Sequence, residues 1–112
     1  MDLNTYQQEA VKTAIYPGAR TGSITALAYL GLGLGEAGEV QGKIKKIIRD
    51  EGGVITDEAR VGIMKELGDV LWYVALISEE LDINLDDVAS ANIAKLADRH
   101  GRGVLGGSGD ER

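Results

Sequence analysis

Apolar positions recur at three- and four-residue intervals along most of this chain. Nowhere do they alternate strictly with polar ones over a strand length, so the pattern predicts helices and no strands. A first helix is expected over about residues 3–15, with Asn4 or Thr5 as N-cap and Pro17-Gly18 as its stop. The longest is expected over residues 23–50. There Leu27, Leu30, Leu34, Ala37, Val40, Ile44 and Ile48 keep helical spacing until Gly52-Gly53. A third begins near Thr56, has Glu58 in its first turn, and carries Val61, Met64, Leu67, Leu71 and Val74 on one face to about Leu81. A fourth runs from Asn84 or Leu85 through Val88, Ala91, Ile93, Ala94 and Leu96 to about His100. Together they read as an all-α four-helix bundle over residues 1–100. Residues 101–112 hold five glycines and no apolar periodicity, which on composition alone reads as a flexible tail.

With 112 residues, the chain has room for one domain with a marginal core, so association would add stability. Cysteine is absent and His100 is the sole histidine, which removes disulfides, thiolate metal sites and cysteine nucleophiles. Any bound metal should therefore be a hard cation held by carboxylates. A formal charge of −6 argues against a general nucleic-acid surface, although acidic side chains gathered in one place attract divalent cations and, through them, phosphates. The polar start of the chain is unlike a secretory signal, and no apolar run approaches the roughly 18 residues of a membrane span. A cytoplasmic protein without a membrane partner is expected.

The acidic residues are not scattered. Glu36 and Glu39 form E-x-x-E on the second expected helix, while Glu66 and Asp69 form E-x-x-D on the third, each pair on one helix face. If those helices are antiparallel neighbours, all four carboxylates can enter one crevice and supply oxygens to Mg²⁺ or Mn²⁺. Taken alone, either pair reads first as solvated charge, with Glu39 reaching Lys43 at i,i+4. Ile63, Val70, Tyr73, Leu76 and Ile77 tip the balance by extending apolar character around the third helix. Glu66 and Asp69 are thereby expected among apolar neighbours, where an ionised carboxylate needs a cation.

Glycines form a second pattern: Gly31, Gly35, Gly38 and Gly42 lie on one helical stripe. Each interior glycine costs about 0.8 to 1 kcal/mol relative to alanine, so the stripe predicts a close helix approach, within the chain or between subunits, or else a locally loosened helix. Gly31-Leu-Gly-Leu-Gly35 lacks the preceding strand of a dinucleotide loop, and no phosphate-loop or serine-triad pattern is present. On the fourth helix Asn92, Lys95 and Arg99 share a stripe that fits either a solvated face or phosphate contacts. Trp72 and Tyr73 follow the second acidic pair, with Trp72 expected in the core.

The run GLGLGEAGEVQGKIKKIIRD followed by KELGDVLWYVA resembles the MazG-like nucleoside triphosphate pyrophosphohydrolases, whose signature is E-x-x-E, a spacer and E-x-x-D. Y-x-x-E-A-x-x-T-A-x-Y-P near the start, N-x-x-K-L-x-x-R on the fourth helix and the closing RG-x-L-x-G-S-G-D-x-R extend the resemblance over nearly the whole chain. It implies a helical homo-oligomer, dimer or tetramer. Mg²⁺ would be held by Glu36, Glu39, Glu66 and Asp69, with Asn92, Lys95 and Arg99 on the phosphates. A nucleoside triphosphate would be cleaved to the monophosphate and pyrophosphate. The resemblance also makes residues 101–112 a closing segment of the same domain rather than a loose tail. A non-catalytic helical oligomer that binds nucleotide or metal as a regulator is the alternative from another class.

Overall fold

The computed structural model describes residues 1–111. Among them there is no strand, and the elements are α1 (Leu3–Val11), α2 (Ile24–Gly33), a 3₁₀ turn (Leu34–Glu36), α3 (Ala37–Asp50), α4 (Asp57–Glu80) and α5 (Leu85–Gly101). The all-helical expectation holds. The single helix expected over residues 23–50 is divided. Its backbone stays in the right-handed helical region through Gly33, Leu34, Glu36 and Ala37, so the helix tightens for one turn rather than ending.

Capping explains most boundaries. Thr56 accepts from the Ala59 amide at 3.1 Å and Ser23 from the Ala26 amide at 3.2 Å, each fixing a helix start. The first helix departs from expectation at both ends. Its N-cap is Asp2, whose carboxylate accepts from the Thr5 amide at 2.7 Å. Asn4, one of the two residues expected as the cap, instead accepts from the Asp86 amide at 3.1 Å and so ties α1 to the start of α5. The C-terminus comes at Val11 rather than near residue 15, where the Thr13 hydroxyl donates to the Ala10 carbonyl ahead of Pro17.

The core lies where α1, α2, α4 and the start of α5 meet: Ala10, Tyr16, Ala26, Leu30, Ala75, Leu76 and Leu85 are buried, with Trp72 and Tyr73 packed against them. Two buried polar groups lock this end. Gln7 donates to the Ile83 carbonyl at 2.9 Å and accepts from the Leu85 amide at 2.8 Å, clipping α1 to the α4–α5 turn. Glu80 accepts from the Tyr16 hydroxyl at 2.6 Å, the Gly22 amide at 2.7 Å and the Arg20 amide, and so holds the α1–α2 connection. That connection needs the support, because Arg20 is a non-glycine residue at φ 66°.

The other end of the molecule is thinner. There α3 turns back on α4 through Gly52 and Gly53, both at positive φ, and Ile47 is its only buried side chain. The spacing had pointed to Ile44 and Ile48, which are exposed at 45% and 68%. Val61, Met64, Leu67 and Leu71, the face of α4 that the spacing picked out, are likewise exposed.

Candidate functional site

The junction of the 3₁₀ turn and α4 brings acids together. Glu36, at the end of the turn, and Glu66 and Asp69, one helical turn apart on α4, each present a carboxylate oxygen, and these oxygens all lie within 4.8 Å of one another. Glu39, in the first turn of α3, is exposed and stands outside this group. The Glu66 side chain is 19% exposed while Asp69 is at the surface, so only the first has the shelter expected from the pattern. The cause is the same shortage of neighbours that leaves Met64 and Leu67 uncovered.

Lys43 of α3 is the cation paired with this group. Its Nζ lies 3.7 Å from Glu66 Oε1, an ion pair longer than a hydrogen bond. The field of the acids is felt by the tyrosines beside them. Burial, then the charges of Glu36, Tyr29 and Asp69, push the Tyr73 hydroxyl upward, and burial followed by Asp69 does the same to Tyr6. Both therefore keep their protons and face the acids as neutral phenols. The donor set is all hard oxygen, crowded and weakly compensated, which fits Mg²⁺ or Mn²⁺ and suits no soft metal.

From Glu66 a groove of about 780 Å³ runs between α3 and α4, its lining mixing Lys43, Lys46 and Lys65 with Asp50, Asp57 and Glu58. Its size is that of a small-molecule site. On the opposite side of the acids, Tyr73 packs edge-on against Trp72, which packs edge-on against Tyr16, which stacks on Tyr29. Trp72 is half-buried against the core as expected, and its indole N–H donates to Thr13 Oγ1 at 2.9 Å.

Glycine matters here at a position the stripe did not include. A Cβ on Gly33 would overlap the Tyr73 ring, whereas Gly31, Gly35, Gly38 and Gly42 have open space around theirs. Among the described residues the close approach that the stripe predicts is not made within one chain, and the helix is not loosened there either, since the 3₁₀ turn at Leu34–Glu36 is a tightening. The signal that would have found Gly33 is its place one turn before Glu36, where α2 must pass the ring of an α4 tyrosine.

Asn92, Lys95 and Arg99 share α5, but the structure does not show them in the acid group. Asn92 is exposed. Lys95 Nζ lies 3.1 Å from Asp110 Oδ1, and Arg99, only 4% exposed, is covered by residues 109 and 110. His100 sits in the last turn of α5, a helix-end residue as expected.

Fold and site together define an all-helical protein with a carboxylate crevice suited to a hard divalent cation. Residues 24–104 match the family model described as the MazG nucleotide pyrophosphohydrolase domain, and the chain belongs to that family. Gene 37 protein of Mycobacterium phage L5 is 52% identical over 114 residues, covering the whole of both chains. No solved structure matches. The matched span contains all seven residues singled out from the acidic and basic patterns and stops short of Asp110.

Proposed function

We propose that the protein is a Mg²⁺-dependent hydrolase, with Mn²⁺ as a substitute, converting a ribo- or deoxynucleoside triphosphate to its monophosphate and pyrophosphate. The observation that carries this reading is the convergence of Glu36, Glu66 and Asp69 within 4.8 Å in a chain of this family. These three would hold the ion, with Glu39 one helical turn from Glu36 as a fourth oxygen donor. When bound, such an ion neutralises the triphosphate and makes water a better nucleophile. Water adds to the α-phosphorus, the α–β phosphoanhydride bond breaks, and pyrophosphate leaves. A carboxylate of the set not taken up by the ion accepts the proton of the attacking water. Tyr73 and Tyr6, their pKa values pushed upward by burial and by the charge of the acids, retain theirs. Lys95 and Arg99, with Asn92, hold phosphate oxygens.

The reading includes a homo-oligomer, dimer or tetramer, and two quantities support it. The radius of gyration is 16.8 Å, against about 13 Å for a compact domain of this length. The accessible surface is 7730 Å², against roughly 6,000 Å² for a compact monomer of this mass. The excess of roughly 1,700 Å² per chain is the scale of an obligate interface.

Purified protein incubated with a panel of ribo- and deoxynucleoside triphosphates, with and without Mg²⁺, should release monophosphate and pyrophosphate only when the ion is present. Diphosphate plus orthophosphate as products would overturn the reaction. No cleavage despite binding of both Mg²⁺ and nucleotide would move the protein to the regulatory class.

A further inference from the structure

Arg99 is among the most enclosed charged side chains of the molecule, and the contacts recorded for it come from the glycine-rich segment ten and eleven residues further on. Its Nη2 donates to the Asp110 carbonyl at 2.7 Å and lies 3.3 Å from Asp110 Oδ1 and 3.5 Å from the Gly109 carbonyl. One helical turn earlier Lys95 Nζ donates to the same Oδ1 at 3.1 Å. A single carboxylate oxygen is thus shared by an ammonium and a guanidinium, the arrangement in which a phosphate oxygen is held. The paired cations draw the Asp110 carboxyl below its ordinary value, so it is an anion at neutral pH. Gly103, Gly107 and Gly109 at φ 72°, 99° and 86° supply the backbone conformations that let the segment fold back. Asp110 itself is 82% exposed, so water competes for it and the clamp is weak enough to open.

A phosphate cannot reach Arg99 while this segment lies over it. We infer that Lys95, Arg99 and the segment of residues 103–110 form one anion site, filled in the ligand-free protein by the Asp110 carboxylate, which a phosphate or pyrophosphate group must displace. This rests on the assignment of Lys95 and Arg99 to phosphates. It adds that the chain carries its own competitor for them, outside the span matched by the family model. The competitor lowers apparent affinity by the fraction of molecules in which the site is open.

The test is calorimetric titration of the full-length protein with inorganic pyrophosphate in Mg²⁺-free buffer, which leaves the carboxylate crevice out of the measurement. Asp110→Asn should bind pyrophosphate about threefold to tenfold more tightly than the wild type, the range set by a weak, largely exposed clamp. The gain should disappear in Lys95→Met/Asp110→Asn and shrink as salt is raised. Unchanged or weaker binding by Asp110→Asn, or no measurable binding by either protein, overturns the inference. If Lys95→Met weakens wild-type binding while Asp110→Asn changes nothing, the internal competitor alone fails. If Lys95→Met has no effect in either background, the phosphate role of these cations falls with it.

Discussion

Glu80 is met by three donors, a phenol and two backbone amides. Burial works against its charged form, but the Tyr16 hydroxyl and the amides of Arg20 and Gly22 outweigh it and hold the carboxyl below its ordinary value of 4.5. Because the folded value is the lower one, the associated stability is fully present above the unfolded value and is lost as pH falls through the folded value. Melting temperatures taken from about pH 7 down to about pH 3 should therefore drop more steeply for the wild type than for Glu80→Gln. At neutral pH that variant should already be less stable by about 2 kcal/mol, since three donors lose an ionised acceptor. Parallel acid limbs for the two proteins would deny Glu80 this role. Gly33 offers a second test at this scale. Adding one methyl by Gly33→Ala forces the Tyr73 ring to move and should cost about 1 to 3 kcal/mol in chemical denaturation. Gly35→Ala, with open space around the new atom, should cost nothing or stabilise slightly. Equal effects at the two glycines would show that the ring yields freely.

Among elements, α4 does most: it carries two of the three converging acids at its middle and the loop-holding Glu80 at its end. Glu36→Gln and Glu66→Gln should each keep the helical circular dichroism of the parent while lowering turnover by about a hundredfold or more, as loss of a charge-bearing ligand does. Near-normal turnover in either folded variant would remove that residue from the reaction. Mg²⁺ at about a hundred times its dissociation constant should also stabilise the parent by about 2.7 kcal/mol, a gain that Glu66→Gln should reduce. Much of α4 and α5 was legible beforehand, because Thr56 followed by Asp57 and Glu58 places a cap and acids at the positive end of α4, and Asp86 and Asp87 place acids at that of α5, although its Leu85 and Asp86 amides are met by Gln7 and Asn4 of α1 rather than by Asn84. The end of α1 was not, since residues 12–15 have helical composition and only the Thr13 hydroxyl turning to the Ala10 carbonyl shows that they leave the helix. In the site, spacing foretold the meeting of Glu36 with Glu66 and Asp69 but not the exposure of Asp69 and Glu39. Helical spacing gives the face on which a side chain lies, not whether anything covers that face. The Asp110 clamp was illegible for another reason: it depends on glycine torsions, which leave no hydrophobic period.

For the whole molecule, the apolar face of α4 and the outer side of α3 decide behaviour. Met64, exposed at 62%, sits on that face away from the acids' own positions, so Met64→Lys should test assembly with little direct effect on the crevice. Light scattering of the parent should give a multiple of 11.9 kDa, and the variant should shift toward the single chain and melt earlier, because an uncompensated charge at an apolar contact costs several kcal/mol. A parent that scatters as one chain would refute the oligomer. No described helix is long and apolar enough to cross a membrane. The long, open shape has a colloidal consequence for a newly made copy. In the proposed oligomer, a copy not yet joined to its partner displays adhesive side chains such as Met64, Leu67 and Ile48, and the formal charge of −6 repels indiscriminate neighbours. Salt screens that repulsion without weakening the adhesive surface, so raising ionic strength should hasten correct pairing and clumping alike, and the protein concentration at which refolding begins decides between them.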